Sequence, residues 1–260
     1  MALNNDMALF LYGFDITQFN RFVNFKKVGG GAELTATLTI GNYTATSLMT
    51  ELKKQMELID GVNTYTWSIN RSVNSGITNR VTVSTSGSYL SILFGTGTNA
   101  ANSPFTMIGF AGSDLTGALT YTSISNCGTI LIPEFPIQDY LPPDAYVNQD
   151  GSKNISAAGI KETLVFAQMQ FIQGQWKWIT NFSNRTQYTE WVSFLKYATK
   201  QLKFEFTPSI YESTDVFYQV TLETTAADNN GMGYKLTQMR GDGLYRFYDT
   251  GVMKFRVIPT

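Results

Sequence analysis

The sequence contains no histidine and only one cysteine, Cys127. Catalytic relays that pair histidine with serine or cysteine cannot form, nor can histidine-ligated metal sites or an internal disulfide. Since few enzymes work without histidine, we expect a protein that is not an enzyme and needs no metal or cofactor. Cys127 stands between Asn126 and Gly128, and we expect it to be a small, half-buried residue in a turn.

Charge is sparse and balanced, with 19 Lys and Arg residues against 20 Asp and Glu residues and no basic run. The positive surface that nucleic acid requires is missing, so we expect no direct, specific contact with nucleic acid. No window reaches the roughly 20 apolar residues of a membrane span, and the first residues lack the features of a signal peptide. We therefore expect synthesis in the cytoplasm and a soluble or assembled protein there.

The clearest pattern lies between Leu34 and Ile59. Apolar residues alternate with threonines from Leu34 to Ile40, which predicts a half-buried strand that Gly41 to Tyr43 break. A helix then follows, with Thr44 or Thr46 as its cap and Gly61 just past its end. Its predicted inner face is Ala45, Leu48, Met49, Leu52, Met56 and Ile59, and its predicted solvent face is Glu51, Lys53, Lys54 and Glu57.

Other strands follow from alternation and turn residues. Two short strands are predicted within residues 8–25, a hairpin from Tyr65–Ile69 and Arg80–Ser84, and a further strand at Tyr89–Phe94. Met107–Phe110 and Leu119–Ser123 bracket a turn-rich segment with Gly112 and Gly117. In the second half we predict a hairpin of Leu164–Ile172 with Trp176–Ile179, and strands at Phe204–Phe206, Phe217–Glu223 and Met253–Val257. A second amphipathic helix is predicted over about Gln187–Lys200, capped by Thr186, with Tyr188, Trp191, Val192, Leu195, Ala198 and Leu202 inside.

These elements predict an α+β fold, predominantly antiparallel β, made of two β-rich units that each pack one amphipathic helix on a sheet. Residues 1–31 are expected to supply strands that pair with the second unit, and residues 32–130 to form an α+β module. Residues 131–154 hold four of the seven prolines, so we expect a linker or an arm that lies on a neighbour without pairing. Residues 155–260 are expected to form the second β-rich module.

Three short motifs suggest ligand sites but lack the residues that these sites need. Gly29–Gly31 has no following Lys-Ser/Thr for a phosphate loop, and Gly95-Thr96-Gly97 does not start a helix for a dinucleotide. A calcium loop around 146–157 would have Tyr146 and Ala157 where ligands are required. The Arg240-Gly241-Asp242 triplet is interpreted as a polar hairpin tip rather than an integrin motif.

Two sets of residues resemble bacteriophage tail proteins. The first unit resembles a module of phage structural proteins, and the second resembles the ring-forming part of the distal tail and baseplate family. The residues that carry the likeness are Leu38–Thr44, Tyr65–Ile69, Leu93–Gly97, Ile108–Phe110, Asp114–Gly117, Tyr188–Leu195, Phe204–Pro208 and Phe217–Glu223. The resemblance implies a virion protein, assembled in the host cytoplasm, that forms a homomeric ring, often sixfold, between the tail tube or hub and the host-recognition parts.

Other functions stay open at this stage. The chain could serve as a neck, adaptor or head-decoration protein of the virion. A carbohydrate-binding β-sandwich is a more remote alternative, with Trp176 and Trp178 as stacking residues. A glycosidase needs only two carboxylates, for which Glu205, Glu212 and Glu223 are candidates, although Glu205 is expected on the polar face of its strand.

Overall fold

The computed structural model describes residues 7–71, 79–143, 147–155, 161–182, 186–210, 216–223, 236–241 and 245–259. Within these residues the protein is predominantly antiparallel β with two α-helices, which confirms the predicted fold class. Two hydrophobic cores form, and each of them includes the buried face of one helix.

The N-terminal half contains β1 (Leu9–Tyr12), β2 (Phe14–Ile16), β3 (Phe22–Lys26), β4 (Leu34–Thr37), β5 (Gly41–Tyr43), α1 (Ala45–Asp60), β6 (Tyr65–Asn70), β7 (Arg80–Thr85), β8 (Ser91–Ile92) and β9 (Thr120–Thr122). The C-terminal half contains β10 (Thr129–Leu131), β11 (Gln138–Leu141), β12 (Val147–Ile155), β13 (Lys161–Gln175), β14 (Ile179–Asn181), α2 (Tyr188–Ala198), β15 (Phe204–Thr207), β16 (Tyr218–Glu223), β17 (Thr237–Arg240), β18 (Arg246–Asp249) and β19 (Val252–Val257).

Helix α1 begins and ends where the sequence predicted. Thr44 and Ser47 form a reciprocal capping box, in which the Ser47 N–H donates to Thr44 Oγ1 over 3.1 Å. Gly61 ends the helix with a left-handed φ of 69°. Five of the six predicted inner residues are buried, but two placements are wrong. Glu51 is buried and its carboxylate accepts the backbone N–H of Thr39, and Ile59 is 44% exposed.

The N-terminal half builds three small sheets, ordered β4-β3-β8, β6-β7-β9 and β2-β5. The predicted hairpin is confirmed as β6 and β7, with Trp67 opposite Val83. Several strand predictions are wrong. Gly41–Tyr43 was expected to break a strand, yet it forms β5 because β2 offers a partner, and strand pairing overrides local propensity. Only Ser91–Ile92 of the predicted strand 89–94 is a strand.

The C-terminal half is built on one large sheet with the order β10-β1-β15-β16-β19-β13-β11, in which β12 also pairs with β13. Strand β1 is the second strand from the β10 edge and pairs with β10 and β15, whereas β2 and β3 pair within the N-terminal half. The expectation that residues 1–31 supply strands to the second unit therefore holds for β1 but not for β2 or β3. A fourth small sheet, β14-β18-β17, lies beside α2.

Three predictions for the C-terminal half are wrong. Segments 164–172 and 176–179 do not form a hairpin, since β13 continues to Gln175 and β14 pairs with β18 instead. Helix α2 starts after Gln187, and Thr186 does not cap it. The proline-rich stretch is not an unpaired arm, because β11 and β12 both pair with β13, while its prolines lie outside the strands.

Candidate assembly surfaces

The predicted catalytic carboxylates do not form a pair. Glu205 is 1% exposed rather than on a wet strand face, and Glu223 lies 3.6 Å from Arg256 in an ion pair. Glu205 is opposite Gln219, so Glu223 lies four residues further along β16, which is about 13 Å. Retaining and inverting glycosidases place their carboxylates closer together than this. Glu212 lies outside the described residues.

Glu205 has a structural contact instead. One of its carboxylate oxygens accepts the N–H of Thr46 in the first turn of α1 over 2.7 Å, and the other lies 2.5 Å from Arg71. The guanidinium of Arg71 lies over the Phe217 ring, 4.0 Å from its centroid. A carboxylate at a helix N-terminus is stabilised by the helix dipole. This residue therefore joins the large sheet to the N-terminal half, a role that strand alternation alone did not reveal.

A second polar contact lies between the two halves. The side-chain amide of Asn42 donates to Tyr197 Oη and to Asp15, each over 2.7 Å. Its oxygen accepts the backbone N–H of Lys203 over 2.5 Å. Glu205 connects the large sheet to α1, and Asn42 connects β5 to α2 and to Lys203. Polar contacts therefore join the two halves at two separate places.

The glycine motif at Gly95 holds a carboxylate of the protein itself. The N–H groups of Gly95 and Thr96 donate to Asp114 Oδ1 over 2.7 and 3.0 Å. Burial alone would raise the pKa of Asp114, but the hydrogen bonds from Thr96 and Gly95 lower it. These donors are occupied, so this loop does not present them to a phosphate group.

The remaining sequence candidates do not meet in one site. Trp176 is 1% exposed and lies in the core, whereas Trp178 is 39% exposed, so the two tryptophans cannot stack on one sugar. Cys127 is buried rather than half-buried, and burial raises the pKa of its thiol to about 12. Tyr146, Ala157 and Asp242 lie outside the described residues, and Gly29–Gly31 lies in a turn. Within the described ranges no three acidic or thiol side chains gather as metal ligands.

The most prominent surface feature is a two-stranded arm, defined as Val147–Ile155 and Lys161–Gln170. Strand β13 pairs with β19 over Phe171–Gln175, and β11 also pairs with this base. From Gln170 to Lys161, β12 is its only strand partner among the described residues. At about 3.3 Å per residue the arm extends about 30 Å from the sheet. Its outer strand edges therefore carry backbone groups with no strand partner in that part of the chain.

Exposed apolar side chains also cluster at the end of α1. Leu58 and Val62 are 69% and 80% exposed, and Ile59 lies between them in the sequence. The neighbouring Lys27 binds Asp60, both through its carboxylate at 2.7 Å and through its backbone oxygen. This end of the N-terminal half is thus anchored to strand β3 while its apolar side chains remain in solvent.

Neither described helix combines the length and the apolar character needed to span a bilayer. Compared with known protein families and with curated protein sequences, the chain has no match.

Proposed function

We propose that this protein is a structural virion component, the subunit of a homomeric ring at a phage tail tip or baseplate that joins the tail tube to the host-recognition parts. The observation that carries the proposal is the arm, because among the described residues its two strands pair only with each other beyond the large sheet. An isolated two-stranded hairpin is marginally stable in water and gains stability when further strands pair with it.

A second copy of the chain is a suitable partner for these edges. Strand addition satisfies backbone groups without requiring a pocket, and a ring repeats the same contact between all subunits. The arm sequence is apolar over Leu164–Ala167, and an apolar strand with an open edge is prone to pair with another chain. The polar contacts of Glu205 and Asn42 keep the two halves of one subunit together.

The test is to measure the mass of the full chain by multi-angle light scattering at neutral pH over a range of concentrations. We expect a discrete oligomer rather than a monomer. In a second variant an Asn-Gly turn replaces residues 148–169, which joins Val147 to Gln170, the last residues that pair at the base of the arm. This variant should be monomeric, with a circular dichroism spectrum that retains the sheet signal.

A full chain that stays monomeric at high concentration would contradict the proposal, as would a variant without the arm that assembles like the parent. A ring at the neck or on the head would use the same edges. Electron microscopy of the oligomer mixed with isolated tail tubes, or with heads that lack tails, distinguishes these positions in the virion. A tail-tip subunit is expected to bind the ends of tail tubes and not the heads.

A further inference from the structure

Four aromatic side chains form a cluster at the surface of the small sheet β14-β18-β17. This aromatic patch consists of Trp178, Phe182, Tyr245 and Phe247. Phe247 contacts Trp178 and Phe182 edge to face, with ring centroids 5.6 and 5.1 Å apart, and Phe182 contacts Tyr245 at 5.4 Å. Trp178 and Tyr245 are 39% and 62% exposed, so both rings reach solvent at the ends of the cluster.

The backbone holds Trp178 in an unusual conformation. Its φ of 65° lies in the left-handed region, which is strained for a bulky residue. The strain arises between two fixed points, since the Trp176 N–H donates to Thr250 Oγ1 over 3.0 Å and Ile179 is buried in the core. Strained residues of this kind concentrate at binding sites. At this position a tryptophan places a large ring at the surface, although glycine or asparagine would adopt this backbone conformation with less strain.

Polar groups lie beside the rings on the same sheet face. Thr180 and Arg240 are both opposite Phe247 in the strand ladders, so their side chains share its face. The Thr180 hydroxyl donates to Glu134 Oε2 over 2.9 Å, which brings a carboxylate to that side. Arg240 is exposed and makes no ion pair within the described residues. The rings are therefore flanked by a carboxylate acceptor and by a guanidinium donor.

We propose that the aromatic patch binds a neutral polysaccharide. A sugar ring presents an apolar C–H face that stacks on an aromatic ring, and hydroxyls that both accept and donate hydrogen bonds. The patch offers both kinds of contact, with Trp178 and Tyr245 as the stacking residues and Arg240 and Glu134 for the hydroxyls. Nucleic acid would demand many cations, and this surface carries charges of both signs. This site does not depend on ring formation.

The experiment measures migration of the full chain in native gels that contain laminarin, soluble starch, galactomannan or xylan. We expect at least one of these glycans to retard the parent, and Trp178→Ala and Tyr245→Ala to weaken that binding about tenfold each. The matched control is Phe19→Ala, which removes a ring that is 69% exposed but lies in a turn of the N-terminal half. The control should migrate like the parent.

Tryptophan fluorescence gives an independent readout. Trp67, Trp176 and Trp191 are at most 7% exposed, so acrylamide quenching reports mainly on Trp178. The retarding glycan should protect Trp178 from acrylamide, and Trp178→Phe should keep binding but lose this protection. The proposal is overturned if none of the glycans retards the chain, or if Trp178→Ala binds as well as the parent. Preferential binding of heparin or poly(dT), abolished by salt, overturns it as well.

Discussion

The carboxylate of Glu205 lies 2.5 Å from Arg71 and accepts the N–H of Thr46, so one buried side chain connects three distant segments. Glu205 is in β15 of the large sheet, whereas Arg71 follows the β6 strand and Thr46 is in the first turn of α1. The side chains of Glu205 and Arg71 are 1% and 12% exposed. The ion pair therefore fixes the position of the N-terminal half on the large sheet.

Removing Glu205 should be strongly destabilising. We expect Glu205→Ala to lower the free energy of unfolding by about 3–5 kcal/mol, because Arg71 would remain as an unpaired buried charge. Urea denaturation followed by circular dichroism measures the change. In the double variant Glu205→Leu with Arg71→Met no buried charge is left, so it should recover a large part of the loss. A loss below about 1 kcal/mol for Glu205→Ala would show that the pair does not hold the two halves.

Acid should weaken the network at the end of α1. Burial alone would raise the pKa of Asp60, but hydrogen bonds from Lys27, Tyr65 and Asn63 lower it below its ordinary value. A lowered pKa gives stability that is present above about pH 4 and is lost as the pH falls further. Asp60→Asn should thus cost about 1–3 kcal/mol at pH 7 and less at pH 3, as measured by urea denaturation at both pH values.

The matched control for Lys27 is Lys53, a lysine of α1 itself. Lys53 is half exposed and lies 4.0 Å from its i+4 partner, so Lys53→Met should change the free energy of unfolding by less than about 0.5 kcal/mol. Lys27→Met should cost clearly more, because it removes a contact to a fully buried carboxylate. Equal effects of the two lysine variants would contradict this account.

Two glycines with positive φ allow the cost of backbone strain to be distinguished from the cost of a steric clash. Gly109 has φ 77°, and an added Cβ would lie 2.2 Å from the Ser125 carbonyl oxygen. Gly117 has φ 89° with no atom within 4 Å of that position. Gly109→Ala should cost about 2–4 kcal/mol, and Gly117→Ala about 1 kcal/mol from backbone strain alone. Thermal unfolding of both variants tests this order, and similar melting temperatures would refute it.

The thiol of Cys127 should be unreactive in the folded protein. Burial raises its pKa to about 12, so it stays protonated and inaccessible at pH 8. Iodoacetamide labelling followed by mass spectrometry should be slow in buffer and fast in 8 M urea. Since the pKa is raised in the folded state, folding also loses stability as the pH rises from about 9 towards 12. Rapid labelling of the native protein would contradict this burial.

The sequence predicted the elements that local interactions define. A cap at Thr44 or Thr46, most of the apolar stripe of α1 and the stop at Gly61 were predictable, because all of them lie within a few turns of one helix. The β6–β7 hairpin was predictable for the same reason, because its two strands are close in the sequence. The absence of histidine also determined, without any structure, which catalytic chemistries this chain cannot use.

Only the tertiary structure decided how distant segments pair. Alternation gives a strand two faces but does not name its partner, so β1 could not be placed between β10 and β15 from its sequence. The same limit concealed the burial of Glu205 and the different positions of Trp176 and Trp178, one in the core and one at the surface. These outcomes depend on contacts between residues far apart in the chain, and a single sequence does not encode them as a local pattern.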